Sequence, residues 1–558
     1  MSATGLSAAL GALATGVVLL AAACGGSGEK GGTGTETAAP SRGGTVRINL
    51  ASDTDYTDPA LAYYSVSWQF EYATSLKLLN YPDAPAPEGS RLQAEAAAAL
   101  PRISPDGKTY TFTIRSGFRF SPPSNEPVTA ASFRAALVRV LSPKMQSPGA
   151  SFLSDIAGAE AFRNGKAKSV SGIQVDGDTL AITLVDVAPD FLSRIAMPFF
   201  AAIPVSTPLN PAGEQQIPSA GPYFIQKWVP KRQLVLARNP NYGGDRPANA
   251  DRIVYTVGVN PAQGLLQIKK GQADYAADGI PPSAHGELGP AFGPGSQAAK
   301  EGAQQYFVNP TLAFRYLALN TQRPLFADAK LRRAVNYAFD RALLIRQRGA
   351  YAGRPTDQYL PYGLAGFRDE QIYPLARADV ATAKRLAAGT KGKAVLYTCN
   401  QAPCPETAQI IQANLKAIGV TVQIRQFERA VQFQRQGVRG EPFDIAFDGW
   451  QADYADPYDF VNVLLDGSRL QAANNVNFSY FDDPVFIEKM HAAARLSGDE
   501  RLRAYGDLDV ELARDAAPLA AWVNDNDRDF FSSRIGCQVY QPIYAMDLAA
   551  LCVRGQGR

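Results

Sequence analysis

An alternation of strand and helix over residues 394–424 restricts the architecture of this chain more than any other stretch. Ala394-Val395-Leu396-Tyr397-Thr398 has strand composition, Thr407 to Ile418 has helical spacing and stops at Gly419, and Val420-Thr421-Val422-Gln423-Ile424 returns to strand. Two strands joined through a helix cannot close as a hairpin. The crossover makes them parallel and predicts an α/β layer. A further strand, Phe443-Asp444-Ile445-Ala446-Phe447, leads into Gly449-Trp450-Gln451-Ala452-Asp453-Tyr454-Ala455-Asp456-Pro457. Sheets of this kind place binding crevices at the carboxyl ends of their strands, which is where this loop would lie.

The loop has the chemistry for such a place. From Glu441 to Asp466 there are seven carboxylates and no Lys or Arg, although basic residues outnumber acidic ones in the rest of the chain. Trp450 offers a flat apolar face, and Asp453 offers a fixed anion for an amine. The plainer alternative is a solvated acidic loop beside a core Trp. An enzymatic alternative is a glycoside hydrolase using two of Asp448, Asp453, Asp456 and Asp459 as its acid and its nucleophile or base. Other enzyme classes find little support. There is no G-x-S-x-G, no Walker A loop and no H-E-x-x-H, and the only histidines are His285 and His491.

With 558 residues, 46% hydrophobic and 19% charged, the chain has the composition of a globular protein of several domain-sized units. A net charge of +3 without a Lys/Arg-rich run gives no reason to expect nucleic acid as a partner. Leu6 to Ala23 is apolar and uncharged, and ends at Leu20-Ala21-Ala22-Ala23-Cys24-Gly25. Small residues before a Cys look like a bacterial lipoprotein signal (residues 1–24) that leaves Cys24 as a lipidated N-terminus. Two departures are that Leu20 sits four rather than three residues before Cys24, and that no Lys or Arg precedes the apolar run. An uncleaved signal anchor is the alternative. Residues 25–44, rich in Gly, Ser, Thr, Glu and Lys, read as a flexible tether. Lipid, tether and a large body describe a protein held at the outer face of a cell membrane. Cys399, Cys404, Cys537 and Cys552 fit that oxidising address as two disulfides. Sequence proximity favours Cys399–Cys404 and Cys537–Cys552. Metal binding and cofactors are not expected.

The other elements follow in order. Thr45 to Leu50 is a strand, Asp58-Pro59 opens a turn, and Tyr63-Tyr64-Ser65 leads into a helix around Trp68, Phe70, Tyr72 and Leu76. Pro105-Asp106-Gly107-Lys108 is a hairpin turn before the alternating arm Thr109 to Arg115. Gly117-Phe118-Arg119-Phe120 and Val128-Thr129-Ala130-Ala131-Ser132-Phe133 follow, the latter starting a helix. Asp176-Gly177-Asp178 joins a second hairpin. Ser219-Ala220-Gly221-Pro222-Tyr223, Arg238-Asn239-Pro240-Asn241-Tyr242 and the helix Leu265 to Asp274 come next. Tyr316 to Asn320 is a strand, and Phe326 to Arg341 a single amphipathic helix with Leu331, Val335, Ala338 and Phe339 on one face. Glu500 to Asp515 is a helix and Pro518 to Val523 a strand.

In this order these blocks resemble family 5 extracellular solute-binding proteins, the peptide, nickel and sugar receptors of ABC importers. The resemblance rests on W-x-x-D-x-x-x-P at Trp450–Pro457, D-G-x-x-Y-x-F-x-I-R-x-G-x-x-F at Asp106–Phe120, G-P-Y at Gly221–Tyr223, R-N-P-x-Y at Arg238–Tyr242 and R-x-A-V-x-Y-A-F-D-R at Arg332–Arg341. It covers residues 43–558, with Ser132 in place of the usual Asp and Ala220 in place of Thr. It implies an α/β, periplasmic-binding-protein-like fold of two lobes (type II, cluster C) with an extra subdomain in the first lobe. The implied partition is residues 45–86, 218–305 and 519–558 for lobe I, 87–217 for the extra subdomain, and 306–518 for lobe II.

The resemblance further implies a monomeric substrate-binding protein, not an enzyme, that captures peptides or peptide-like solutes and delivers them to permease subunits. Asp453 would meet the ligand ammonium, and Trp450, Gln451 and Tyr454 would line the pocket. Tyr63, Tyr64 and Ser65 would face the ligand from the first lobe, unless the tyrosines only pack between layers. One departure bears on the ligand: oligopeptide receptors of the family carry an Arg two residues before the Trp to meet a ligand carboxylate, and here that position is Asp448. A cationic or carboxylate-free solute, a sugar or a metal chelate are the alternatives within the family.

Overall fold

The computed structural model of the protein describes residues 42–555 except residue 402. The expected signal segment, Cys24 and most of the tether lie outside these residues. The fold is two-lobed α/β, each lobe built on its own sheet. In the first lobe, strand β1 (Thr45–Leu50) is followed by the D-P turn and helix α1 (Ser65–Thr74), buried along nearly its whole length. Asp58 is fully buried in that turn. It receives both terminal nitrogens of Arg139, each at 2.6 Å, and the backbone N–H groups of Ala60 and Glu214. A carboxylate with four such donors fixes the path of the chain entering α1.

The chain then leaves for a four-stranded antiparallel sheet made of β2 (Arg102–Ile103), β3 (Thr109–Thr113), β4 (Ile173–Asp176) and β5 (Thr179–Thr183), in the order β2-β3-β5-β4. Both hairpins read from the sequence are present. Their turns place Gly107 and Gly177 at φ +73° and +57°, a region that only glycine enters freely. Helix α2 (Ala130–Leu141), which carries Arg139, packs on this sheet. Ser132, standing where the family usually has Asp, accepts the N–H of Thr129 at 3.2 Å and caps the helix start.

Returning, the chain adds β6 (Tyr223–Val229), β7 (Gln233–Arg238), β8 (Arg252–Val257) and β9 (Tyr275–Ala276) to complete a sheet ordered β9-β1-β8-β7-β6. The second lobe begins with β10 (Tyr306–Leu319), a strand of 14 residues, far longer than the apolar run at 316–320 suggests. Helix α3 (Ala329–Ala338) is capped by Asp328 and stops at Phe339. Asp340 then caps a separate helix, α4 (Arg341–Gln347), so the single helix expected over 326–341 is two. The Asp340 side chain bonds the N–H of Leu343, and this cap outcompetes helix continuation.

Next come β11 (Gly353–Pro355), β12 (Gly392–Cys399), α5 (Cys404–Lys416), β13 (Val420–Phe427), β14 (Ile445–Gln451), α6 (Tyr458–Leu465) and α7 (Gly498–Glu511). The last strand of the lobe's sheet is β15 (Leu519–Phe530). The sheet order is β11-β15-β10-β14-β12-β13. β12, β13 and β14 are parallel, as the crossover dictates, whereas β10 runs antiparallel to both β14 and β15. The mixed character arises because β10 and β15 are also the connections between lobes. Their outer halves pair Tyr306–Pro310 with Asn526–Phe530, and Phe531 bridges Tyr275 of the first lobe. The register slips between Pro310 and Phe314, where proline has no N–H to donate. Disulfides join Cys399 to Cys404 at the start of α5 and Cys537 to Cys552 in the C-terminal segment.

Arg341 is the most demanding buried side chain of the second lobe. Fully buried, it donates to the carbonyls of Thr356 and Ala521 at 3.1 and 2.9 Å and to Asn336 O and Oδ1, both at 2.9 Å. It thereby satisfies carbonyls at the end of α3 and ties α4 to β15. Replacing it removes volume and orphans these acceptors together. Arg341→Ala is expected to lower unfolding free energy by about 3 kcal/mol, read as a shift of the urea midpoint.

Candidate functional site

The loop after β14 is shaped by its own carboxylates. Asp459, at the start of α6, accepts the N–H of Asp453 at 2.9 Å and the indole N–H of Trp450 at 3.2 Å. Asp456 accepts the N–H of Tyr458 and holds Arg501 of α7 through two bonds of 2.7 Å. Asp448 accepts the N–H of Gly449 and the side-chain amide of Gln436. Three of the four acidic residues of this stretch therefore build the loop, and Asp453 is the one left to face the opposite lobe.

The first lobe meets it with the residues before α1. Asp55 accepts the N–H groups of Tyr63 at 2.7 Å and Tyr64 at 3.1 Å, which holds the turn that aims Tyr63. The Tyr63 ring packs against Trp68 and Phe199, and its hydroxyl donates to Asp453 Oδ2 at 2.7 Å. Ser65 donates to Gln451 Oε1 at 3.3 Å, and Gln451 reaches the carbonyl of Ile543 at 3.4 Å. Tyr64 is 48% exposed beside this seam. Tyr454 is fully buried: its hydroxyl donates to Asp190 at 3.1 Å, and Asp190 is in turn paired with Arg194. Tyr63, Ser65, Gln451 and Asp453 thus come together across the lobes. Trp450 stands half-buried with its indole N–H on Asp459, and Tyr454 is anchored on Asp190.

The electrostatics of the pair Asp453 and Asp459 are unusual. Burial pushes the Asp453 carboxyl up to about 7, against a smaller opposing effect of the Tyr63 hydroxyl. Burial, and then the charge of Asp453, drive Asp459 well above the carboxylate range. Neither has a Lys or Arg within ion-pair distance among the described residues. Burial likewise raises Asp448 to about 6, its hydrogen bonds and Arg429 and Arg315 offsetting part of the cost. The arrangement is a buried carboxyl supplied with one neutral donor, and an arriving ammonium group would favour its charged form.

Beside this contact lies a cleft of about 300 Å³, reached from Ser65 and Gln451 and extending to the strands that join the lobes. Arg315, Arg348, Asp525, Asp527 and Asp529 line it together with Tyr275 and Asp278 of the first lobe. None of these residues belongs to the family motifs in the sequence. The signal available was Asn524-Asp525-Asn526-Asp527-Arg528-Asp529, where an Asp at every second position puts three carboxylates on one face of a strand.

Residues 91–471 match the model of bacterial extracellular solute-binding proteins, family 5 (middle region). The chain is 25% identical over 451 residues to the periplasmic oligopeptide-binding protein OppA of Escherichia coli (strain K12), covering 75% of this chain and 77% of that one. It is 25% identical over 484 residues to the probable D,D-dipeptide-binding periplasmic protein DdpA of the same organism, covering 84% and 86%. Among solved structures it is similar to clavulanic acid biosynthesis oligopeptide binding protein 2, with a TM-score of 0.81, 24% identity, and 92% of this chain and 96% of that one covered.

The raised Asp453 carboxyl makes stability depend on pH in a defined direction. The folded protein keeps this proton up to about pH 7, whereas the unfolded chain releases it near pH 4. Stability is therefore lost as pH rises through that window and the loss is complete above it. Asp453→Asn, which keeps the shape and the Tyr63 contact, is expected to stabilise the ligand-free protein by on the order of 2 kcal/mol at pH 8 and by nothing at pH 4. Thermal unfolding of both proteins across pH 4–8 checks this, and a constant difference would contradict it.

Proposed function

Because this chain belongs to family 5 of the bacterial extracellular solute-binding proteins, we propose that it is the peptide-capturing component of an ABC importer. In this reading it closes its two lobes over a peptide with a free amino terminus and hands it to the permease. Members of the family bind and deliver solutes rather than transform them. The reading rests on Asp453, a carboxylate 7% exposed whose one side-chain partner is the neutral hydroxyl of Tyr63 from the opposite lobe. A ligand ammonium would enter between Asp453 and Tyr63 and supply the missing positive charge. Ser65 and Gln451 would meet the peptide main chain, Trp450 would back the first residue, and Tyr454 would hold the loop against the subdomain. Tyr64, at the mouth, would cover the bound ligand.

Closure would hinge on the outer halves of β10 and β15, Tyr306–Pro310 and Asn526–Phe530, so that the second crossing would lie near residue 530 rather than at the expected 518, and would separate lobe I with its subdomain (87–217) from lobe II. Closure removes water, and a low-dielectric gap strengthens the pairing of charges inside it. Upstream of this machinery, Cys24 would carry the lipid, and residues 25–44 would tether the receptor at the outer face of the membrane as a monomer. No helix among the described residues is long and apolar enough to cross a membrane. Both disulfides suit that location.

Isothermal titration calorimetry with matched peptides tests the amine anchor. A free-amino tripeptide is expected to bind, and its N-acetylated form to bind at least tenfold more weakly. Asp453→Ala is expected to weaken the free-amino peptide by roughly 2–5 kcal/mol, since it removes one partner of a desolvated charge pair. Equal binding of the acetylated and free forms would exclude the anchor role of Asp453.

A further inference from the structure

The cleft beside the connecting strands is not a neutral space. Its three arginines are committed. Arg315 and Arg348 both grip Asp525, at 2.6 and 3.1 Å, and Arg528 donates to the carbonyls of Arg348 and Ala350 at 3.0 and 2.9 Å. Asp278 accepts the N–H groups of Ala51 and Ser52, whereas the other two carboxylates have no ion pair among the described residues. Asp527 receives the hydroxyl of Tyr540, at 2.7 Å, and Asp529 the hydroxyl of Tyr275, also at 2.7 Å, with the side-chain amide of Asn309 as a second neutral donor beside it. Asp529 is 7% exposed and lines the cleft, with neutral donors only. Neither Asp527 nor Asp529 has a Lys or Arg within ion-pair distance among the described residues. His285 supplies no charge, because burial and then Arg528 and Arg348 lower it to about 4.

Asp527 and Asp529 share with Asp453 a desolvated carboxylate with a phenol donor and no ion pair, although Asn309 also reaches Asp529 and the charges of Arg528 and Arg315 act on Asp527 from beyond ion-pair distance. Isolated anions in such a place are costly, and the cost is relieved when a cation arrives with its own donors. The two aspartates alternate along β15, so their side chains share a face roughly 7 Å apart, a spacing that one ammonium or guanidinium can bridge. Gln451, two residues before Asp453 in the chain, lines the same cleft and connects it to the amine site.

We propose that this cleft is a side-chain subsite for a cationic residue of the bound peptide, with Asp527 and Asp529 as its acceptors. The inference deepens the peptide reading and rests on it. The receptor then prefers peptides that pair a free amino terminus with a lysine or arginine a few residues later. Asp448, standing where oligopeptide receptors of the family place an arginine, adds no competing cation.

The experiment compares tetra-alanine peptides carrying lysine at the second, third or fourth position with the same peptides carrying norleucine, which keeps the stem and lacks the charge. Calorimetry on the intact protein should show one position at which lysine binds at least tenfold tighter than norleucine. In Asp527→Asn/Asp529→Asn, which keeps side-chain size and the tyrosine contacts, that ratio should fall towards one. Asp453→Ala should instead weaken both members of each pair alike. Lysine and norleucine binding within twofold at every position, or a ratio unchanged in the double variant, overturns the subsite while leaving the amine anchor standing. No binding by any free-amino peptide overturns the peptide reading and the subsite with it.

Discussion

The contact between the Tyr63 hydroxyl and Asp453 is the point at which the two lobes agree. It spans 390 residues of sequence and joins a turn of one lobe to a loop of the other. A neutral donor on a buried anion is a weak lock compared with an ion pair. It can hold the lobes together in the absence of ligand and still yield to an ammonium, which offers three donors and a full charge. A lysine or arginine in place of Tyr63 would have satisfied Asp453 permanently and left nothing for a ligand to contribute.

The remainder of the structure keeps those two groups in place. Asp58, saturated by Arg139 and two backbone N–H groups, sets the turn before α1, and Asp55 gathers the amides of Tyr63 and Tyr64. On the other side Asp459 and Asp456 shape the loop, and Arg501 neutralises Asp456, so that among the described residues Asp453 is the carboxyl left to face the opposite lobe without a cation. The scaffold carboxylates Asp58 and Asp456 carry arginine, while Asp453, Asp527 and Asp529, which face the inter-lobe space, each carry a tyrosine.

A similar division runs along the strands joining the lobes. β15 serves as a sheet strand where it is apolar, over Leu519–Val523, and as a polar wall where Asp525, Asp527 and Asp529 project. A segment that must both carry the hinge and border the cleft cannot be uniformly apolar. For this reason the sequence reads as a strand only as far as Val523, although the hydrogen-bonded ladder continues to Phe530. The same holds for β10, whose outer half contains Asn309 and Pro310.

Local patterns were enough to determine both hairpins, the parallel crossover over residues 392–427 and the family, though not the break between α3 and α4. Each depends on residues near one another in the chain: Gly107 and Gly177 in their turns, the helical spacing before Gly419, the alternating arm after Lys108. Asp453 and Tyr63 were legible as site candidates through the motifs around them. Only the tertiary structure decided that they touch, that Asp459 is scaffold, that Tyr454 turns towards Asp190, and that three carboxylates of β15 line the cleft. Burial and the identity of a partner hundreds of residues away set whether a carboxylate is satisfied, and neither quantity is a property of the local sequence.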